Sequence, residues 1–210
     1  MFFLLAHGSS HAKHAQQVTA LAKEVSALLE EEVGAVFLSD ESLPQGASVL
    51  PLFLGNGRHM SQDVPQLMKA SDATMLRPLV EAADELANLI IRKLTQTSKR
   101  LHVVFVVYQF TGFEKIVAAL YKHGKGCSLI AVSALHGQPN INSVLHNIQK
   151  QGVKKVLLQP VLLFDGHSLN ACKMMAEEAA IEKKFEVEIM PVLVGIDGMV
   201  ELIANRLKTR

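Results

Sequence analysis

Two stretches of the chain carry the same punctuation. SVLPLFLGNGRHMSQD (residues 48–63) and KVLLQPVLLFDGHSLNA (residues 155–171) each run from a β-branched and leucine-rich strand through a glycine to a histidine at a helix start. TMLRPLVEAADELANLIIRKL (residues 74–94) and EIMPVLVGIDGMVELIANRL (residues 188–207) pair in the same way and end in the same helix register. A supersecondary unit that recurs in order across a chain implies two copies of one architecture. The repeat predicts two βα lobes facing a cleft, an N-terminal lobe of residues 1–98 and a C-terminal lobe of residues 99–210, divided near Ser98–Arg100.

Within each copy, short apolar runs alternate with segments of helical period. FFLLA (residues 2–6) is the kind of continuous apolar run that a parallel strand buried on both faces requires. His11 to about Glu31 places Val18, Leu21, Val25, Leu28 and Leu29 on one helical face. VGAVFLS and SVLPLFLG read as strands and Asp63 to about Ala70 as a helix with Pro65 in its first turn. TMLRPL reads as a fourth strand and EAADELANLIIRKL as the helix after it. The second copy runs HVVFVVYQF, GFEKIVAALYKHG, SLIAVSAL, INSVLHNIQKQG, KKVLLQPVLLF, HSLNACKMMAEEAAIEKK, FEVEIMPVL and GMVELIANRLK, strand and helix in turn. The fold class expected is α/β: two flavodoxin-like lobes with parallel sheets. One difference stands out. The second copy has a helix between its second and third strands, where the first has only the link DESLPQGA. A parallel crossover ordinarily takes a dozen residues or more, so this one is stripped.

Bulk properties narrow the function. With 210 residues, 49% of them hydrophobic, the chain can bury substantial cores. A formal charge of +1 supplies no field to gather nucleic acid or an anionic membrane. The two cysteines, Cys127 and Cys172, form no CxxC pair and no disulfide framework, which suits a reducing cytoplasm. His7 interrupts the leading MFFLL too early for a signal peptide, and no apolar run approaches a membrane span of ~18 residues. The sequence therefore predicts a cytoplasmic protein without nucleic-acid or membrane partners, and a monomer, because two lobes supply a whole cleft.

Ligands of parallel α/β sheets gather at the carboxyl ends of the strands, and this rule sorts the nine histidines. His7 ends the first strand, and His59 lies beyond the third, after Gly55-Asn56-Gly57. Both face one rim of the first lobe. Two imidazoles there can hold a divalent metal with open positions, or one can bind metal while the other accepts a proton. Asp40 or Glu41, after the second strand, is the candidate carboxylate, while Asp63 suits a helix N-cap. His11 and His14, at helical spacing i, i+3, read as bystanders. In the second lobe Tyr108-Gln109 replaces the first-strand histidine, while His167 matches His59 and His136 ends the second strand. That makes the C-terminal lobe a degenerate copy, with His167 a substrate contact. His102, His123 and His146 receive no role.

LLAHGSS followed by VLPLFLGNGRHMSQDVPQL resembles the sirohydrochlorin chelatases of the CbiX/SirB type, class II tetrapyrrole chelatases. The shared pattern is a strand ending in His-Gly-Ser, then Pro-Leu-Phe-Leu, a glycine pair, a histidine, and Asp-Val-Pro. Val80 stands where the family's closing Pro-Leu-Gly stretch has glycine. The resemblance implies a lyase that inserts Co²⁺ or Fe²⁺ into sirohydrochlorin without ATP, for cobalamin or sirohaem. It implies His7 and His59 as the paired active-site histidines, with Asp40 the best match for an acidic metal partner. The substrate's carboxylates would meet backbone N–H groups at Ser9-Ser10 and Ser61-Gln62, with Arg58 and Arg77 as ion-pair partners. Two other readings compete. In the histidine phosphatases an arginine precedes the reactive histidine, and here Ala6 holds that place. A non-catalytic tetrapyrrole or metal carrier on the same scaffold is the other alternative.

Overall fold

The computed structural model describes residues 1–40, 42–97, 101–183 and 186–209. The division expected near Ser98–Arg100, the candidate Glu41 and the start of the last strand at Phe185 lie outside these. The first lobe consists of β1 (Phe2–Ala6), α1 (Ala12–Leu29), β2 (Val33–Phe37), β3 (Ser48–Pro51), α2 (Val64–Ala70), β4 (Thr74–Met75) and α3 (Ala83–Thr97). The second consists of β5 (His102–Val107), α4 (Glu114–His123), β6 (Leu129–Ala134), α5 (Ile141–Lys150), β7 (Lys155–Pro160), α6 (His167–Lys183), β8 (Glu186–Ile189) and α7 (Met199–Lys208). Each lobe has one four-stranded sheet, ordered β2-β1-β3-β4 and β6-β5-β7-β8, with every pairing parallel. The same order in both sheets is the sequence repeat expressed as topology. It is also the start of the flavodoxin-like order.

Successive strand residues face opposite sides, and both sides are buried. Leu4 and Ala6 of β1 and Val103, Phe105 and Val107 of β5 face a central layer of α1, α3, α4 and α7. Phe3 and Leu5 face outward to Val64 and Met68 of α2. Val104 and Val106 face outward to α5 and α6. The inner faces of the two lobes make one continuous hydrophobic cluster, in which Val18 and Leu21 of α1 belong with Leu202 and Leu207 of α7. The two copies thus share a core.

The stripped crossover is real. Residues 38–47 link β2 to β3 without a helix among the described residues, against residues 135–154 and α5 in the second lobe. Leu43 and Ala47 fill part of the uncovered outer face, and Ser71 Oγ accepts the Leu43 N–H at 2.8 Å. Other differences from the sequence reading are local. The fourth strand of the first lobe is only Thr74–Met75, because its ladder partner β3 ends at Pro51 and Pro78 has no N–H to continue. The helix expected from Asp63 begins at His59 with a π-helical turn, in which Val64 N–H bonds to His59 O. The wider turn accommodates Pro65, whose ring would clash with the carbonyl four residues back and which has no N–H for it. No helix among the described residues is long and apolar enough to cross a membrane.

Candidate metal site

His7 follows β1 directly, and Gly8, at φ +84°, turns the chain away from the strand. A Cβ on Gly8 would lie 3.2 Å from Ser39 Oγ at the end of β2, so the turn is both left-handed and tightly neighboured. His59 opens the π turn after β3. The two imidazole rings meet edge to face with centroids 4.4 Å apart. A metal–nitrogen bond of ~2.1 Å puts an ion ~3.2 Å from a ring centroid, so two imidazoles at ~90° about one ion have centroids ~4.5 Å apart. The pair has the spacing of two adjacent ligands of one cation.

The hydrogen bonds say which nitrogen is presented. His7 Nδ1 is 2.8 Å from Gly8 O, and a carbonyl only accepts, so Nδ1 carries the proton. His59 Nδ1 is 2.6 Å from Asp63 Oδ2 and likewise donates. Each ring therefore keeps an Nε2 lone pair. Asp63 is not the N-cap expected of it: its backbone is helical and its side chain makes no cap bond. It is instead the carboxylate that orients His59, four residues before it on the same helical face. The His-x-x-x-Asp spacing was the available signal, and the proline after it pointed to a helix start instead.

The remaining expected site residues are placed as follows. Asp40 lies at the end of β2, beside β1, with Oδ2 accepting the Phe37 N–H at 2.8 Å. Among the described residues no three His, Cys, Asp or Glu converge as a preformed metal cage. Ser9 Oγ accepts the His11 N–H at 3.1 Å at the start of α1. Ser10 Oγ lies 3.1 Å from Nε2 of His167, across the lobe boundary. Ser61 N–H already bonds to Gly57 O, so it is not the free anion-binding N–H expected there. Arg58 is exposed. Arg77 lends its carbonyl to Arg206 at 3.3 Å and its charge helps Lys115, the main partner, to hold the Glu81 carboxyl below its usual range.

Loops of the two lobes meet beside the glycine pair that precedes His59 and along the start of α1. Asn56 N–H bonds to Gly112 O at 2.9 Å, and the Phe113 ring lies so close over Gly55 that a Cβ there would come within 2.5 Å of it. On the other flank Gln17 Oε1 accepts the Asp165 N–H at 2.7 Å, and Lys13 pairs with the Asp165 carboxylate. His11 meets His167 edge to face with centroids 5.9 Å apart, and His14 meets Phe164 at 5.1 Å. Burial, with smaller contributions from nearby His7 and His11, lowers the pKa of His14. In the second lobe the rim position matching His7 holds Tyr108, whose ring contacts His136 at 4.7 Å. Surface hollows of about 470 Å³ at Pro65 and Met68 and about 500 Å³ at His136 and Asn140 include neither His7 nor His59.

Two lobes with parallel sheets of one order, and a histidine pair where β1 and β3 end, define an α/β protein of duplicated architecture. The CbiX family model matches residues 1–97 and 108–210, and the chain belongs to the CbiX family of chelatases. Three solved structures share the fold. One is described as CbiX, the terminal enzyme for biosynthesis of sirohaem in denitrifying bacteria; it is 16% identical, with 99% of this chain and 97% of that one covered and a TM-score of 0.71. SirB from Bacillus subtilis with Fe³⁺ is 15% identical, covering 99% and 93%, with a TM-score of 0.75. The sirohydrochlorin chelatase SirB from Bacillus subtilis subspecies spizizenii with cobalt is 16% identical, covering 99% and 93%, at 0.74. A comparison with curated protein sequences finds no match.

Removing an outer partner of a metal-binding histidine typically costs ~10–100-fold in metal affinity or activity. Asp63→Ala is expected to weaken Co²⁺ binding within that range, and Asp63→Asn, which keeps an acceptor for Nδ1–H, to weaken it less. Anaerobic Co²⁺ titration of the variants checks this. Equal loss in both would make the charge rather than the orientation of His59 decisive.

Proposed function

We propose that the chain inserts Co²⁺ or Fe²⁺ into sirohydrochlorin without ATP, in cobalamin or sirohaem biosynthesis. The observation that carries this reading is the His7–His59 pair, with both Nδ1 atoms engaged and both Nε2 lone pairs left for an incoming ion. Membership of the CbiX family supports it, as do the SirB structures described with iron and cobalt. Insertion exchanges a divalent ion for two pyrrole N–H protons. The site must hold the ion weakly enough to release it and must offer a base for the protons. Two imidazoles completed by water meet the first need, since a closed cage would retain the metal. Once the ion moves to the macrocycle, an imidazole nitrogen is freed to accept a proton near neutral pH.

In this reading the N-terminal lobe, residues 1–98, is the active lobe and the C-terminal lobe, residues 99–210, is its degenerate copy. Ser9, Ser10, Arg58 and Arg77 are assigned to the macrocycle's carboxylates and His167 to a substrate contact, and the rim admits a large flat substrate. The protein works as a cytoplasmic monomer with no nucleic-acid or membrane partner. Asp40 is assigned as the third ligand, through the oxygen not used by Phe37 N–H. Asp40→Asn keeps an acceptor for that N–H, so metalation is expected to fall about tenfold or more at unchanged stability. An unchanged rate would restrict Asp40 to its turn.

A second reading, a tetrapyrrole or metal carrier, draws on the engagement of Asp40 and on the absence of a three-ligand cage among the described residues. An anaerobic absorbance assay with sirohydrochlorin and excess Co²⁺ or Fe²⁺, corrected for the spontaneous rate, separates the two. Multiple turnovers support the chelatase. Stoichiometric product at most, with tight tetrapyrrole binding, leaves the carrier.

A further inference from the structure

The sequence reading set His11 and His14 aside, and the structure gives them company it did not foresee. His11, in the turn that starts α1, faces His167, in the turn that starts α6 of the other lobe, at a centroid distance of 5.9 Å. By the repeat, His167 is the counterpart of His59. Its neighbour is supplied across the boundary by the first lobe, because the second-lobe equivalent of His7 is Tyr108.

We propose that His11 and His167 form a second binding site for a divalent first-row metal ion, a two-imidazole pair bridging the lobes beside His7 and His59. Three observations carry it. The centroid separation is close to that of shared ligation: with an ion ~3.2 Å from each centroid, bond angles of ~110–130° place the rings about 5.2–5.8 Å apart, so the observed 5.9 Å needs only a slight closing of the rings. Ser10 Oγ engages His167 Nε2 at 3.1 Å, which orients the ring and leaves Nδ1 as the ligand atom, as an outer hydrogen bond does for metal-binding histidines. His11 Nδ1 is buried with no hydrogen-bond partner, and so is His14 Nδ1 one turn along. Buried nitrogens without partners are uncommon in folded proteins and call for an explanation such as a missing ion or water.

The location gives the site a use. His14, one turn along α1 from His11, sets its ring against Phe164 of the second lobe with centroids 5.1 Å apart, so a third imidazole lies at the lobe boundary. The second pair would hold an ion in readiness while the first is occupied by one in transfer. That role rests on the chelatase reading, whereas the site itself does not.

The test is an anaerobic Co²⁺ titration followed by visible absorption, with no tetrapyrrole present. Wild type is expected to bind two Co²⁺ per chain. The His11→Gln/His167→Gln and His7→Ala/His59→Ala double variants are each expected to bind one. Wild type binding a single ion, with the His11→Gln/His167→Gln variant unchanged, would overturn the proposal. A readout on the unsubstituted protein guards against a variant that misfolds: Zn²⁺ should shift the imidazole ¹⁵N resonances of both His11 and His167, and unmoved resonances at saturating Zn²⁺ would reject the site. Two bound ions without multiple-turnover metalation would refute the chelatase reading and leave this site standing.

Discussion

His59→Ala is expected to lower the rate of multiple-turnover metalation of sirohydrochlorin by about 10²–10⁴-fold, the range typical for loss of a positioned acid–base group. His7→Ala should cost a similar factor. Each variant removes one of the two imidazoles from an ion whose assigned third ligand, Asp40, does not converge with them in a preformed cage, so water must replace a large share of the protein's hold. Each also removes one of the two imidazoles proposed as acceptors of the pyrrole protons. Because the rings touch at 4.4 Å, their contributions are coupled. The double variant should therefore be little worse than either single one, as for other groups that act as a unit. Neither change should unfold the protein, since His7 is exposed and His59 only half-buried. The check is the anaerobic assay beside circular dichroism. Retained turnover in His7→Ala with loss in His59→Ala would assign metal and proton to His59 alone.

Much of this arrangement was legible in the residues, for reasons that particular positions show. FFLLA has no polar alternation because β1 is central and buried on both faces, so its run of apolar residues was an unambiguous strand. Gly8 and Gly55 marked the strand ends where the chain must turn or approach closely, and this placed His7 and His59 on one rim. The repeat supplied the second sheet, whose order matches the first. Contacts between the copies were not legible. Nothing in the pattern of α1 says that Lys13, Gln17 and His11 reach toward Asp165 and His167, because a one-lobe periodicity carries no information about the other lobe. Asp63 was misjudged for a different reason. Pro65 marks the first turn of an α-helix in most settings, and only the π turn from His59 makes residue 63 the partner of residue 59.

The shared core leads to the other large effect. Phe105, in the central strand of the second sheet, is fully buried in the cluster that also holds Leu4 of β1 and Leu86 of α3. Truncating a buried phenylalanine to alanine costs about 3–5 kcal/mol, the lost transfer energy plus the cavity left behind. At about 2–4 °C per kcal/mol for a chain of this size, Phe105→Ala should lower the melting temperature by roughly 6–20 °C. Independent lobes would confine the damage to the second. One core should spread it: amide exchange at Leu4 and Leu5, in the first sheet, is expected to accelerate along with that at Val104 and Val106, since all would open through the same global unfolding. Exchange measured in both strands decides the matter. Unchanged protection at Leu4 and Leu5 in a destabilised Phe105→Ala protein would mean that the lobes unfold separately. The rim histidine pair would then depend on the first lobe's own stability, rather than on a seam that holds Ser10, Lys13 and Gln17 against the second lobe.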